Sequence, residues 1–240
     1  MALPVQPAYR LYRYLWAGID LLFPPSCVGC GKGGSRWCDD CQDAVHLILP
    51  PICNLCGQSL ESSGLCARCQ ENKPHFNGVR SWAAFDGNIR KVLHHLKYQR
   101  DLSLGVIMAR PMIHILQQLN WNIDLVTPVP LGVARLKERG YNQSAILAKP
   151  IALGVGIPYR PQVLTKIRNT PTQVNLSLIA RRENVKGAFR SYSKMVRGRS
   201  VLVVDDVATS SATLDACSIA LLEVGANQVY GLTLARAGHY

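Results

Sequence analysis

Eight of the nine cysteines of this chain fall within 43 residues as four C-x-x-C pairs: Cys27/Cys30, Cys38/Cys41, Cys53/Cys56 and Cys66/Cys69. Two thiolates two residues apart on a tight turn chelate one ion, and two such turns complete a tetrahedral site of four sulfurs. Gly29, Gly31 and Gly57 lie in or just after these turns, where the backbone must bend sharply. A disulfide framework would need an oxidising compartment, and no export signal is visible. A thioredoxin-like redox pair would explain one C-x-x-C rather than four. The spacing therefore predicts two structural Zn2+ sites. The simplest grouping is sequential, Cys27, Cys30, Cys38 and Cys41 on one ion and Cys53, Cys56, Cys66 and Cys69 on the other. Pairing of the first turn with the third stays open. Closed four-sulfur sites leave no position for a substrate, and metal binding supplies much of the folding free energy of so short a module. His46 and His75 stand beside complete ligand sets and read as surface residues.

The net charge of +12 is unevenly placed. Residues 1–78 hold six Lys+Arg and six Asp+Glu, whereas 135–199 holds 14 basic residues against Glu138 and Glu183. Such a field suits a polyanion, either nucleic acid or a diphosphate-bearing small molecule, although basic runs are also common as solvated surface. Near the N-terminus, Leu11, Leu15, Ile19 and Leu22 recur at helical spacing, which predicts an amphipathic helix within 1–25. Asp20 interrupts the run and no small-x-small site follows, so a signal peptide is not expected. The run is also too short to span a bilayer. A cytoplasmic location and no transmembrane segment are the expectations.

From Val79 the pattern changes. Residues 79–85 read as a strand, Gly87–Tyr98 and 102–119 as helices, and 123–130 as a strand ending in a Pro-rich turn. A helix is expected over 142–155, then strand, helix and strand over 200–204, 212–224 and 228–234. Pro111 and Pro150 should kink or split their helices. Alternation of this kind predicts parallel βαβ units, with ligands at the carboxyl ends of the strands. The expected organisation is a helix in 1–25, a double zinc ribbon in 26–78 and an α/β domain in 79–240.

One strand end carries chemistry. Residues 200–226, SVLVVDDVATSSATLDACSIALLEVGA, are an apolar strand, a carboxylate pair, a loop of small and hydroxylated residues, and a helix. Asp205 and Asp206 can accept hydrogen bonds from vicinal ribose hydroxyls, directly or through Mg2+. Thr209, Ser210, Ser211 and Thr213 supply hydroxyls, and the loop N–H groups with the helix N-terminus offer an anion cradle. Neither a Walker loop nor a Rossmann fingerprint is present. An N-capped turn is the plainer reading, but adjacent carboxylates at a buried strand end repel unless something compensates them.

VLVVDDVATSSATL (201–214) resembles the PRPP-binding motif hhhhDDxxTTGxT of type I phosphoribosyltransferases. With the C-x-x-C series, LKY (96–98), DLVTPVPL (124–131), RGYNQS (139–144) and TPTQVNLSLIARRENVKGAF (170–189) in this order, the chain resembles the ComF family. That resemblance implies a zinc ribbon joined to a phosphoribosyltransferase-like parallel sheet flanked by helices, and an association with natural transformation and single-stranded DNA uptake. Carried onto this chain, it implies PRPP binding with Mg2+ at Asp205, Asp206, Ala208, Thr209, Ser210, Ser211, Ala212 and Thr213. It also implies pyrophosphate contacts in the turn holding Arg135, Lys137 and Arg139. Asn142 and Gln143 either face the site or cap a helix. The usual Thr-Gly of the loop is here Ser210-Ser211, and serine restricts the backbone conformation and phosphate approach that glycine allows.

Three functions follow from these readings. One is a Mg2+-dependent phosphoribosyltransferase, working by positioning and charge stabilisation. The second is a non-catalytic module that grips single-stranded DNA on the basic 135–199 face, with Tyr141, Tyr159, Phe189 and Tyr192 as candidate stacking residues. The third is a docking protein whose zinc module binds a partner such as a competence helicase. Deletion of residues 1–78 is expected to spare ligand binding under the first two.

Overall fold

The computed structural model describes residues 6–22, 24–168, 183–192 and 194–238, and for 16–22 the backbone alone. Most of the 170–189 stretch, with Arg181 and Arg182, lies outside the described residues.

The sheet is built from strands that read as apolar runs, because both of its faces are covered. Strands β1 (Gly78–Ala84), β2 (Leu125–Pro128), β5 (Ser200–Ala208) and β6 (Gln228–Arg236) align in the order β1-β6-β5-β2, every pair parallel. Side chains alternate between the two faces. Leu202 and Val204 of β5 enter one core, with Trp82, Leu232 and Leu234, whereas Val201 and Val203 enter the other, with Val79 and Val229. The first core is roofed by α4 (Gly87–Tyr98), α5 (Ser103–Gln118) and α7 (Gln143–Val155). On the second face lies α8 (Ala212–Leu222), whose Leu214, Ala220 and Leu221 are buried.

Neither internal proline splits its helix. Pro111 lies within one continuous α5 and Pro150 within one continuous α7. These two helices cross closely because a glycine from each faces the other. A Cβ on Gly105 would stand 2.1 Å from Ile146 Cγ2, and one on Gly154 would stand 2.3 Å from Ile113 Cδ1. A short hairpin, β3 (Thr165–Lys166) with β4 (Phe189–Arg190), stands apart from the main sheet.

The predicted N-terminal helix is α1 (Pro7–Leu22). It is anchored by Tyr9, whose hydroxyl donates to the Val106 carbonyl at 2.7 Å. Leu11, Tyr14 and Leu15 remain exposed. Among the described residues no helix is long and apolar enough to cross a membrane.

The two C-x-x-C turns of each ribbon half are completed by the one-turn helices α2 (Asp39–Asp43) and α3 (Ala67–Glu71). The first knuckle leans on α4 and the turn after it. Lys91 Nζ donates to the Gly29 carbonyl, and Arg36 Nη1 lies 3.2 Å from both carboxylate oxygens of Asp101. The second knuckle is fused to the sheet. Val79 N–H donates to the Leu55 carbonyl at 2.6 Å, and Arg80 Nη1 to that of Asn54 at 3.2 Å. Gly57 (φ +71°) permits this approach, since a Cβ there would lie 2.5 Å from the Val79 carbonyl oxygen. Cys53, Cys56, Cys66, Cys69 and Phe76 accordingly share one core with α8 and the inner residues of β5.

Candidate functional site

The eight cysteine thiols gather in the sequential grouping, Cys27, Cys30, Cys38 and Cys41 in one cluster and Cys53, Cys56, Cys66 and Cys69 in the other. In each cluster the sulfurs lie within 4.8 Å of one another. A tetrahedral ion with Zn–S bonds of about 2.3 Å places its sulfurs about 3.8 Å apart. The Cys30–Cys38 and Cys56–Cys66 sulfur pairs are both 3.7 Å apart. Both donor sets therefore fit zinc in chemistry and in geometry. Backbone N–H groups support them, that of Cys38 pointing at Cys27 Sγ and that of Cys66 at Cys53 Sγ, each at 3.4 Å. His46 and His75 are exposed and join neither cluster. His75 instead ties the ribbon to α8, its N–H donating to Asp215 Oδ1 at 2.6 Å.

The acidic pair lies at the carboxyl end of β5, inside a strand longer than the sequence suggests, and both carboxylates are buried. Elements distant in sequence compensate the repulsion expected of such a pair. Ser144 Oγ donates to Asp205 Oδ1 at 2.8 Å, and the Asp206 N–H donates to the same oxygen at 2.9 Å. Lys97 Nζ stands 2.6 Å from Asp206 Oδ2 as a close ion pair. The two carboxyls are thereby driven apart. Burial, with the neighbouring Asp206 charge adding to it, pushes Asp205 up to about 8. Burial acts on Asp206 in the same direction, but the Lys97 ammonium outweighs it and holds that carboxyl below its ordinary value. The two carboxyls thus titrate as one coupled pair, Asp205 displaced upward and Asp206 downward, with Lys97 beside the second as its counter-ion.

Lys97 and Ser144 stand in the LKY and RGYNQS segments, which the sequence offers only as marks of resemblance. Their roles follow from the packing of α4 and α7 against the end of β5. Asn142 N-caps α7, its side chain accepting from the Ser144 N–H at 3.0 Å and donating to the Val129 carbonyl at 2.9 Å. That cap aims Ser144 at Asp205.

Arg135, Lys137 and Arg139 sit on a short helix, α6 (Val133–Arg139), rather than in an open turn. Arg139 turns inward, donating to Gln143 Oε1 at 2.8 Å and stacking its guanidinium 5.2 Å from the centre of the Tyr98 ring. Arg135 is half-buried and Lys137 exposed. Lys166 of the hairpin approaches the same region. Burial and the nearby Arg135 charge lower its pKa, while Cys217 and Asp205 pull it back up.

The loop after the acidic pair keeps the shape that glycine normally provides. Ser211 has φ +60°, the left-handed region, and Ser210 and Ser211 are buried. Ala208 and Ala212 are buried as well, with Thr209 and Thr213 half-buried. Ser211 Oγ accepts from Arg236 Nη1 at 3.3 Å and Nη2 at 3.4 Å, and Arg236 Nη2 also donates to the Cys56 carbonyl. Arg236 is 2% exposed, and sequence reasoning misses it because the strand is expected to end at Leu234, two residues before it does. Its pairing opposite Ala208 places it under the loop. Removal of residues 1–78 would therefore strip the loop of a supporting knuckle as well as removing a module.

Of the candidate stacking residues, Phe189 is buried, whereas Tyr159 and Tyr141 are half-buried. Tyr192 is 68% exposed and lies under the Arg190 guanidinium, 5.7 Å from its ring centre.

A double zinc ribbon joined to a parallel sheet covered by helices on both faces, with an acidic pair and a hydroxyl-rich loop at one strand end, defines a zinc-ribbon α/β protein. The family model for the double zinc ribbon domain matches residues 18–70. The "DNA utilization protein YhgH" of Salmonella typhimurium is 31% identical over 210 residues, covering 84% of this chain and 92% of the relative. The chain belongs to the ComF family. "Competence protein F" of Haemophilus influenzae is 28% identical over 83% of this chain and 90% of its own length. For "Competence protein ComFC" of Bacillus subtilis the identity is 24%, with 86% of each chain covered. Among solved structures, glutamine PRPP amidotransferase from B. subtilis, complexed with ADP and GMP, aligns at 20% identity with a TM-score of 0.41. That alignment spans 59% of this chain and 30% of the other.

Proposed function

We propose that this chain binds PRPP or a closely related ribose phosphate at the end of β5 and serves the uptake or processing of single-stranded DNA. The observation that carries the reading is the buried pair Asp205/Asp206, placed just before the 208–213 loop, with a hydrogen bond from Ser144 on one carboxylate and the Lys97 counter-ion on the other. Buried carboxylates with pKa values pushed apart belong to sites that bind or react more often than to inert cores. In this reading the carboxylates take the ribose hydroxyls, the loop takes the 5′-phosphate, and Arg139 with Arg135 faces the diphosphate. Mg2+, held by the diphosphate and the acidic pair, would neutralise charge there. The names of the relatives, concerned with DNA utilization and competence, support the second half of the reading.

Calorimetric titration of Mg2+-PRPP into the zinc-loaded chain tests the site. Saturable binding that disappears in Asp205→Asn/Asp206→Asn is the expected result. Absence of binding to the folded wild type would refute it.

A second reading, a fold kept for gripping single-stranded DNA without transfer, draws on the exposed Tyr192–Arg190 stack of the hairpin strand. Aromatic and arginine planes of this kind serve as base-stacking platforms. Tyr192→Ala should then weaken binding of an oligonucleotide by about 1–3 kcal/mol. Arg190→Ala should in addition flatten the salt dependence by close to one phosphate contact. Unchanged affinity in both variants would remove the hairpin from any DNA site.

A further inference from the structure

The second zinc knuckle and the loop 208–213 meet along one seam. Phe76, Cys56 and Cys69 come from the ribbon side, and Ser210, Ser211 and Asp215 from the sheet side. The crevice left between them measures about 10 Å³, room for about one water. Close-packed surfaces of this kind transmit displacement rather than absorb it.

Arg236 crosses the seam. Its guanidinium, almost wholly buried, binds Ser211 Oγ on one side and the carbonyl of a zinc-ligating residue, Cys56, on the other. The Cys56 carbonyl is positioned by the knuckle itself, whose turn is closed by the Gly57 N–H to Cys53 carbonyl bond at 2.9 Å and the Cys53 N–H to Gln58 carbonyl bond at 2.7 Å. Ser211 needs such support, because its φ of +60° lies in the left-handed region, where a side chain is strained. Charge reinforces the arrangement. Zinc with four thiolates carries a net charge of −2, and Arg68, Arg80 and Arg236 all lie within electrostatic reach of this cluster. Among the described residues the hydrogen bonds of the first knuckle to the rest of the chain fall on α4 and the turn at Asp101.

We infer that the second tetrathiolate centre is a working part of the ribose-phosphate site, holding Arg236 as a positioning residue that keeps the Ser211 loop in its ligand-receiving shape. The identity of the ligand rests on the reading proposed above. The coupling between metal and loop does not, and the experiment separates the two.

Hydrogen exchange of the amides of residues 209–213 is measured on the zinc-loaded full chain without ligand, alongside zinc content and Mg2+-PRPP titration. Cys66→Ser, which empties the second knuckle, and Arg236→Gln, which leaves all eight ligands in place, should each raise loop exchange by about tenfold or more, the worth of a lost hydrogen bond to a charged group. Both should also weaken PRPP binding. Cys38→Ser, which empties the first knuckle, should leave loop exchange at the wild-type level. Unchanged loop exchange in Arg236→Gln overturns the inference, even if Cys66→Ser fails to fold. Equal loop exchange in Cys66→Ser and Cys38→Ser overturns it as well. If the wild type fails to bind PRPP while the exchange pattern is as expected, the ligand reading falls and the coupling stands.

Discussion

Asp205→Asn should stabilise this protein above neutral pH while removing a carboxylate from the proposed ribose-phosphate site. The Asp205 carboxyl has an ordinary value near 3.8 and is pushed up to about 8 in the fold. A group raised in this way contributes stability that is fully present below the unfolded value. That stability is lost as pH climbs towards the folded value, because the unfolded chain releases the proton first. The window spans about four pH units at roughly 1.4 kcal/mol each, a ceiling of about 5–6 kcal/mol at pH 8. Polar surroundings and relaxation reduce such ceilings two- to threefold. Asparagine mimics the protonated acid and titrates nowhere in this range. It also retains an oxygen to accept the Ser144 hydroxyl and Asp206 N–H bonds. A gain of about 2 kcal/mol at pH 8 is expected, or roughly 4–8 °C in Tm for a chain of this size. The gain should shrink to about half of that by pH 6. Thermal unfolding followed by circular dichroism at both pH values, with zinc present, provides the measurement. An asparagine variant less stable than wild type at pH 8, or a difference that does not grow with pH, would refute the argument that burial holds a proton on Asp205.

Other outcomes follow from the same geometry. Lys97→Met removes the counter-ion of Asp206 and should destabilise the chain by about 3 kcal/mol at pH 8, in urea unfolding, and by less at pH 6, where the stranded carboxyl can take up a proton. Ser211→Ala loses the bond from Arg236 without relieving the left-handed backbone. It should therefore be less stable than Ser211→Gly by about 1 kcal/mol in the same assay. If Mg2+-PRPP binds, it should expel the Asp205 proton, so titrations at pH 7 in buffers of different ionisation enthalpy should show close to one proton released. Gly105→Ala drives a methyl into Ile146 where α5 and α7 cross, and a loss of about 2–3 kcal/mol is expected from chemical denaturation.

The parts of this protein that depend on local spacing are legible in the sequence. Four C-x-x-C pairs prescribe tetrathiolate chemistry, and the apolar run ending in Asp205-Asp206 prescribes a buried strand with an acidic end. What the sequence does not show is which partners make that acidic end tolerable. Lys97 lies 109 positions before Asp206, and Ser144 is 61 before Asp205. They arrive through the tertiary packing of α4 and α7. The ends of β5 and β6 read short in the sequence because a strand is expected to stop where its apolar run stops. Asp205, Asp206 and Arg236 are strand residues regardless, since the parallel ladder continues through Val207–Ala235 and Ala208–Arg236. Pro150 suggests a break, yet α7 runs through it. The grouping of the cysteines, open on spacing alone, is sequential in the fold, with the first knuckle against α4 and the second against β1.

The order of the sheet has a consequence for how the chain is made. Among the described strands β1 pairs only with β6, its other edge being met by residues 46–48 and Leu55, and the hydroxyls of Ser81 and Thr233, 2.7 Å apart, come from positions separated by 152 residues. The contact between Arg236 and Cys56 closes a span of 180. On a ribosome adding about 5–20 residues per second, the second knuckle can take up its metal many seconds before β6 exists to receive it. During that interval the apolar edge of β1 and the underside of the knuckle have no native cover, and such edges invite wrong pairing. The chain order thus allows zinc capture early and assembly of the loop only once β6 is made. A growing chain starved of metal would meet its final strand with no formed surface to dock it on.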